Sequence, residues 1–139
     1  MRRGYVLIEI IISIMILVIG MTIVLEGYSS INKAIRERTI NRMLEDDLYS
    51  ICMEIRYNEP LLTIKDNLID GELYIEYNDK FSDTIKIKNL FDIDEVGKDN
   101  YIKISKLSES NNGIKVNVSI KYKEFFVSSD VLKDEWMDE

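Results

Sequence analysis

The chain has 139 residues and a formal net charge of -7, with no histidine and a single cysteine. Its length allows one domain of ordinary size, and its acidic charge argues against a general nucleic-acid binder, because phosphate contacts need positive surface. It lacks the commonest general base and metal ligand, and one cysteine allows neither an intrachain disulfide nor a cysteine-based zinc cluster. Composition therefore disfavours an enzyme, and we predict no cofactor and no metal-binding residues.

The first element is an apolar run of 21 residues, Tyr5 to Leu25, that contains one charged residue, Glu9. As a helix it would span roughly 31 Å, close to the bilayer hydrocarbon thickness of about 30 Å. Arg2 and Arg3 precede it, and the positive-inside rule then places the N-terminus in the cytoplasm and the body outside. A cleavable secretory signal fits less well, because its apolar region is usually about 7–15 residues long. We expect a single-pass membrane helix.

The stretch RGYVLIE, residues 3–9, followed by the rest of the apolar run, resembles the signal of type IV pilins and type II secretion pseudopilins. In that family a membrane peptidase cuts a short basic leader after a glycine and N-methylates the new first residue, and a glutamate stands at the fifth mature position. The resemblance implies that residues 1–4 are the leader, that Gly4 ends it, that Tyr5 is the methylated first residue, and that Glu9 is the assembly glutamate. Tyrosine replaces the usual phenylalanine, and no proline interrupts the apolar run.

The same resemblance implies a role for the acid. In pilin-like filaments the apolar helices bundle at the centre, where the low dielectric would draw Glu9 strongly to the free amine of a neighbouring subunit's Tyr5. The implied partners are other pilin or pseudopilin subunits, a prepilin peptidase and an inner-membrane assembly platform. In the alternative, Glu9 snorkels to the membrane interface or is protonated near the helix start, since unpaired charge is costly in hydrocarbon.

After the membrane run a helical pattern continues to about Tyr57, and Pro60 ends it, because the residue before a proline is pushed out of helical geometry. We expect residues 5–27 to form the transmembrane and filament-core helix and residues 28–139 to form an extracytoplasmic, pilin-like globular domain. Apolar residues at spacings of mostly three or four predict one face of an amphipathic helix: Ile31, Ile35, Leu44, Leu48, Ile51 and Ile55.

From Pro60 onward the apolar period changes to two, which predicts strands with one apolar and one polar face. The alternating runs lie at residues 73–77, 85–88, 102–104 and 114–122. We therefore predict an α+β fold in which a long N-terminal helix, transmembrane in its first half, packs on an antiparallel sheet of about four strands. This is also the pilin architecture.

Two weaker signals concern ligands. The segment Asp92 to Asn100 begins like a calcium loop, but Val96 and Lys103 stand where an EF-hand needs ligands, which leaves only an irregular calcium site open.

Six lysines lie on the predicted solvent face of the sheet, where they would ordinarily keep strand edges from pairing with other chains. A basic stripe for DNA is the alternative, disfavoured because no aromatic residues interleave for base stacking. These lysines are Lys86, Lys88, Lys103, Lys115, Lys121 and Lys123.

Together these features predict a minor pilin or pseudopilin, a structural subunit that acts by assembly and not by catalysis. It would be held in the cell membrane and would join a cell-surface filament after processing; secretion, pilus and competence systems all use such subunits. The alternative is a single-pass, membrane-anchored extracytoplasmic binding protein that does not polymerise.

Overall fold

The computed structural model describes residues 2–78, 80–85, 89–92 and 99–138 of the chain. The chain divides into two compact units, Met1–Ile40 and Asn41–Glu139. In chain order the elements are α1 (Arg2–Met53), a π-helical turn (Glu54–Asn58), α2 (Leu61–Asn67), β1 (Glu72–Glu76), α3 (Phe81–Thr84), a 3₁₀ turn (Leu90–Asp92), β2 (Tyr101–Ser110), β3 (Gly113–Tyr122), β4 (Phe125–Asp134) and a C-terminal 3₁₀ turn (Glu135–Asp138).

The first unit is the N-terminal part of α1. Every side chain from Tyr5 to Leu25 is exposed, although nearly all of them are apolar. A helix pairs its own backbone polar groups, so an apolar helix of this length suits a hydrocarbon environment. Among the described residues, α1 is the one helix that is long and apolar enough to cross a membrane.

In the second unit α1 supplies one side of the core. Leu44, Leu48 and Ile51 are buried, and Ile55 in the π-helical turn continues the same face. Their spacings of four, three and four residues keep them on one side of the helix. This part of the predicted amphipathic face is confirmed.

The prediction was wrong for the two isoleucines nearer the N-terminus. Ile31 and Ile35 are 61% and 56% exposed. Ile35 and Leu44 are nine residues apart, which is two and a half turns at 3.6 residues per turn, so the two positions are out of phase by half a turn. Ile31 and Ile35 therefore belong to a separate apolar stripe.

The end of the helix follows from the proline. Regular α-helix stops at Met53, the amide of Glu59 donates to the carbonyl of Glu54 (3.0 Å) to close the π-helical turn, and Glu59 has extended geometry (φ -87°, ψ 127°) immediately before Pro60. Pro60 then precedes α2, a short helix that the period-two pattern did not predict.

The four strands form one antiparallel sheet in the order β1-β2-β3-β4. Ile75 of β1 lies opposite Ile102 of β2, and Ile102 lies opposite Ile120 of β3. All three are buried, as are Ile104 and several valines, so one face of the sheet is apolar and completes the core. The predicted α+β fold, with a long N-terminal apolar helix packed on a four-stranded antiparallel sheet, is confirmed.

One strand was assigned to the wrong segment. Ile85, placed in a strand by its alternation with Lys86, follows α3 in helical geometry (φ -66°, ψ -23°), and residues 86–88 lie outside the described residues. The fourth strand is β4, where Ser128, Ser129 and Asp130 interrupt the alternation of apolar residues that identifies a strand. Most of the possible calcium segment, residues 93–98, also lies outside the described residues.

A buried ion pair anchors the C-terminal turn. Lys133 points inward from β4 and is 0% exposed; its Nζ pairs with the Asp138 carboxylate and donates to the carbonyl of Arg56 (3.0 Å). The second carboxylate oxygen of Asp138 accepts from the amide of Leu61 at the start of α2 (3.0 Å). One aspartate thus neutralises a buried ammonium group and joins the C-terminal turn to α2.

A truncation in the core tests the face that α1 buries. We expect Ile51→Ala to lower the free energy of unfolding by about 2–5 kcal/mol, because it removes buried methylene groups and leaves a cavity. Ile35→Ala is the matched control, since Ile35 is exposed, and it should change stability by less than about 0.5 kcal/mol. Denaturant unfolding of the full chain in detergent measures both, and equal effects would contradict the assigned core.

Acid should weaken the C-terminal anchor. Lys133 and the Leu61 amide hold the pKa of Asp138 below its ordinary value of 3.8. A lowered pKa in the folded state means that the stabilisation is present above the unfolded value and is lost as the pH falls through the folded value. At pH 7 we expect Asp138→Ala to cost about 1–3 kcal/mol, because Lys133 keeps only carbonyl partners. The difference from the native chain should shrink below about pH 3.8, whereas exposed Asp70→Ala should cost little at any pH.

Candidate functional site

The residues predicted to direct processing and assembly lie at the start of α1. Gly4 and Tyr5 are adjacent in the helix, and Glu9 follows one turn later, so Tyr5 and Glu9 share a helix face. Tyr5 is 79% exposed and Glu9 is exposed. Tyr5 and Glu9 therefore lie about one turn apart, on a surface that the described chain leaves uncovered.

Three polar side chains occur between Val6 and Leu25, and they differ in how they are satisfied. Ser13 Oγ donates to the backbone carbonyl of Glu9 (2.8 Å), and Thr22 Oγ1 donates to the backbone carbonyl of Val18 (2.6 Å). Such bonds to the preceding turn satisfy hydroxyl groups without water. The Glu9 carboxylate makes no hydrogen bond or ion pair with any side chain or backbone group that the structure describes. Among the described residues, Glu9 is therefore the one polar side chain of this segment whose partner the structure does not show.

An apolar stripe continues beyond the membrane-length run. Val24, Tyr28, Ile31 and Ile35 recur at spacings of four, three and four residues, and all four side chains are more than half exposed. This spacing puts them on one helix face. Ile31 and Ile35 were predicted to belong to the core face, but their spacing from Leu44 puts them on the opposite side of the helix.

Two of the four described lysines of the predicted solvent face form ion pairs with carboxylates on neighbouring strands. Lys103 Nζ lies 2.8 Å from Glu72 Oε1, and Lys115 Nζ lies 2.9 Å from Asp130 Oδ2. Hydrogen bonds from Lys103 and Tyr74 hold the pKa of Glu72 below its usual range. These two pairs reduce the positive charge that a phosphate polymer would meet at Lys103 and Lys115, as expected if the lysines serve to keep strand edges from pairing with other chains.

The statement that no aromatic residues interleave with these lysines was wrong. Lys103 Nζ lies 5.4 Å from the centre of the Tyr74 ring, and Lys121 Nζ lies 5.7 Å from the centre of the Tyr101 ring. The strand register brings these rings beside the lysines, and register was not part of the sequence prediction. Lys86 and Lys88 lie outside the described residues.

Metal ligands do not converge within the described ranges, where no three Cys, Asp or Glu side chains are placed to hold an ion. No protein-family model, curated protein or solved structure matches the chain. The function is therefore argued from the residues of α1 and from the surfaces of the second unit.

Proposed function

We propose that the protein is a minor pilin or pseudopilin, a structural subunit that is processed at Gly4 and assembles into a type IV pilus-like filament. The observation that carries this proposal is the Glu9 carboxylate, the one polar side chain between Val6 and Leu25 without a partner in the described chain. A carboxylate in hydrocarbon is costly, so its retention indicates a specific cation.

Processing after Gly4 would create that cation. The cut converts the Tyr5 peptide nitrogen into a free amine, so each subunit carries one amine and one Glu9 carboxylate. When the amine of one subunit pairs with the acid of the next, the contact is head-to-tail, and such contacts propagate into filaments. In this arrangement the prepilin peptidase acts before assembly. An inner-membrane platform then moves the processed subunit from the membrane into the cell-surface filament.

The apolar stripe beyond the membrane run supports the same proposal. Val24 lies near the end of the run, and Tyr28, Ile31 and Ile35 follow it on the same face, so lipid tails would not reach the whole stripe. Burying it against the equivalent helices of neighbouring subunits removes apolar surface from water, at about 25 cal/mol per Å². A filament core covers the stripe and the acid together.

An anchored binding protein that does not polymerise is the second candidate. It accounts for the apolar run and for a folded body outside the membrane. It assigns no role to the unpartnered Glu9 or to the exposed stripe that ends at Ile35, and for this reason we place it second.

Processing is tested by mass spectrometry of the mature protein. We expect Tyr5 as the first residue, with one added methyl group on its amine. Loss of Arg2 and Arg3 makes the formal charge two units more negative than the -7 of the full chain. An intact Met1, or a cut near Ser30, would contradict the proposal and favour an anchored or secreted protein.

Assembly is tested by removing the acid. We expect Glu9→Leu to enter the membrane at least as well as the native chain, because a charge is removed from hydrocarbon, and to be cleaved normally after Gly4. Its incorporation into sheared filaments should fail, since a buried amine without its partner costs about 3–5 kcal/mol. Ser13→Ala is the matched control, because the Ser13 hydroxyl is satisfied within its own helix, and it should assemble normally. Normal incorporation of Glu9→Leu would show that Glu9 does not set subunit register.

A further inference from the structure

The two outer edges of the sheet differ in how well they are protected. β1 has five residues and carries a glutamate at each end, and short, charged strands discourage pairing with other chains. β4 has ten residues, and its backbone from Phe126 to Val131 makes no hydrogen bond, in the described part of the chain, outside its ladder with β3. The β4 edge is therefore an open row of backbone donors and acceptors.

A groove runs beside this open edge on the side of α1. It has a volume of about 300 Å³ and is lined by Leu48, Tyr49 and Cys52 of α1 and by Ser128 and Ser129 of β4. The side chains of Cys52 and Ser129, which both line the groove, are hydrogen-bonded to each other. Two small serines at the edge allow another backbone to approach, and the groove can accept a side chain that points inward from it.

We propose that the β4 edge binds an extended segment of a partner protein as a fifth strand, with one apolar side chain of that segment in the groove. Strand addition draws affinity from main-chain hydrogen bonds and specificity from pockets for alternate side chains, and this edge offers both. The binding site goes beyond assembly through α1, since none of its residues lies in the first unit.

The structure limits the length of the added strand. Lys133 points inward at the far end of β4, where its ammonium group is held by Asp138 and by the carbonyl of Arg56. Inward-pointing charges prevent continued pairing along an edge. The added strand therefore lies along Phe126–Val131, and its outward side chains contact Phe126, which is 63% exposed.

Charge defines the chemistry of the partner. Glu45 also lines the groove, and its carboxylate has no hydrogen-bond or ion-pair partner among the described residues. A basic residue next to the inserted apolar side chain would pair with it. A second copy of this chain that paired through its own Phe126–Val131 fits less well, because that stretch has no basic residue to bring to Glu45.

The chain itself supplies a suitable probe. A synthetic peptide of residues 113–122, GIKVNVSIKY, alternates apolar side chains with polar ones that include two lysines, and its sequence already pairs with β4 on the inner edge. We expect the fluorescent peptide to bind saturably to the full chain in detergent micelles, measured by anisotropy against micelles without protein. Cys52→Phe, which fills the groove, should weaken binding at least tenfold, and Glu45→Gln should weaken it severalfold. Tyr74→Ala on the β1 edge is the control and should bind normally.

Backbone methylation distinguishes strand addition from other modes of binding. Successive amide groups of an added strand point alternately toward β4 and toward solvent. Two peptides are therefore N-methylated at alternate sets of residues. The peptide methylated on its solvent-facing amides should bind like the parent peptide, and the one methylated on the amides that face β4 should lose binding. This comparison tests strand addition even if Cys52→Phe fails to fold. Equal behaviour of the two peptides, no saturation by about 1 mM peptide, or self-association of the chain that blocks the peptide would each overturn the proposal. None of these outcomes depends on filament formation, so a failure of the strand-addition proposal would not contradict the proposed function.

Discussion

The structure depends first on an apolar helix that its own chain does not cover. From Tyr5 to Leu25 the side chains of α1 are exposed, and leaving them in water would cost about 25 cal/mol for each Å². Lipid or other helices around this segment would remove that cost, and the length and hydropathy of the segment fit such surroundings. Polar side chains in such surroundings need local partners, so Glu9 is the residue of this segment that needs an explanation.

Helix α1 performs two tasks, and a half-turn change of phase separates them. The stripe that ends at Ile35 is exposed, whereas the stripe that begins at Leu44 is buried in the core of the second unit. Because the two stripes are out of phase, residues that the core needs are not the ones that the exposed surface offers to a partner. Changes to one stripe can therefore leave the other intact, as the proposed assembly through α1 requires.

Periodicity was enough to predict the fold class, the buried stripe from Leu44 to Ile55, and the strands whose apolar residues alternate without interruption. Periodicity did not predict β4, because the polar residues at the centre of that strand interrupt the alternation of apolar and polar residues. It also assigned Ile85 to a strand, because a short alternating run fits a turn after a helix as well. The Lys133–Asp138 pair was beyond sequence reasoning, since burial of a lysine depends on which segments fold against it. Glu9 was predictable as an anomaly from its apolar neighbours, but the local partners of Ser13 and Thr22, which set Glu9 apart among the described residues, depend on helix geometry.

Glu9 and the β4 edge are both hydrogen-bonding groups that the described chain leaves open, but their surroundings differ. Water satisfies an open strand edge at little cost, so the edge does not require a partner for the protein to be stable. Hydrocarbon offers no hydrogen bonds, and an ionised carboxylate without a partner is costly there. In the proposed filament, a partner for Glu9 is therefore a condition for a stable end state, whereas a partner at the β4 edge is optional. If both proposals hold, the filament can form with the edge empty, and its subunits can bind or release an extended segment without disturbing the contacts made by α1.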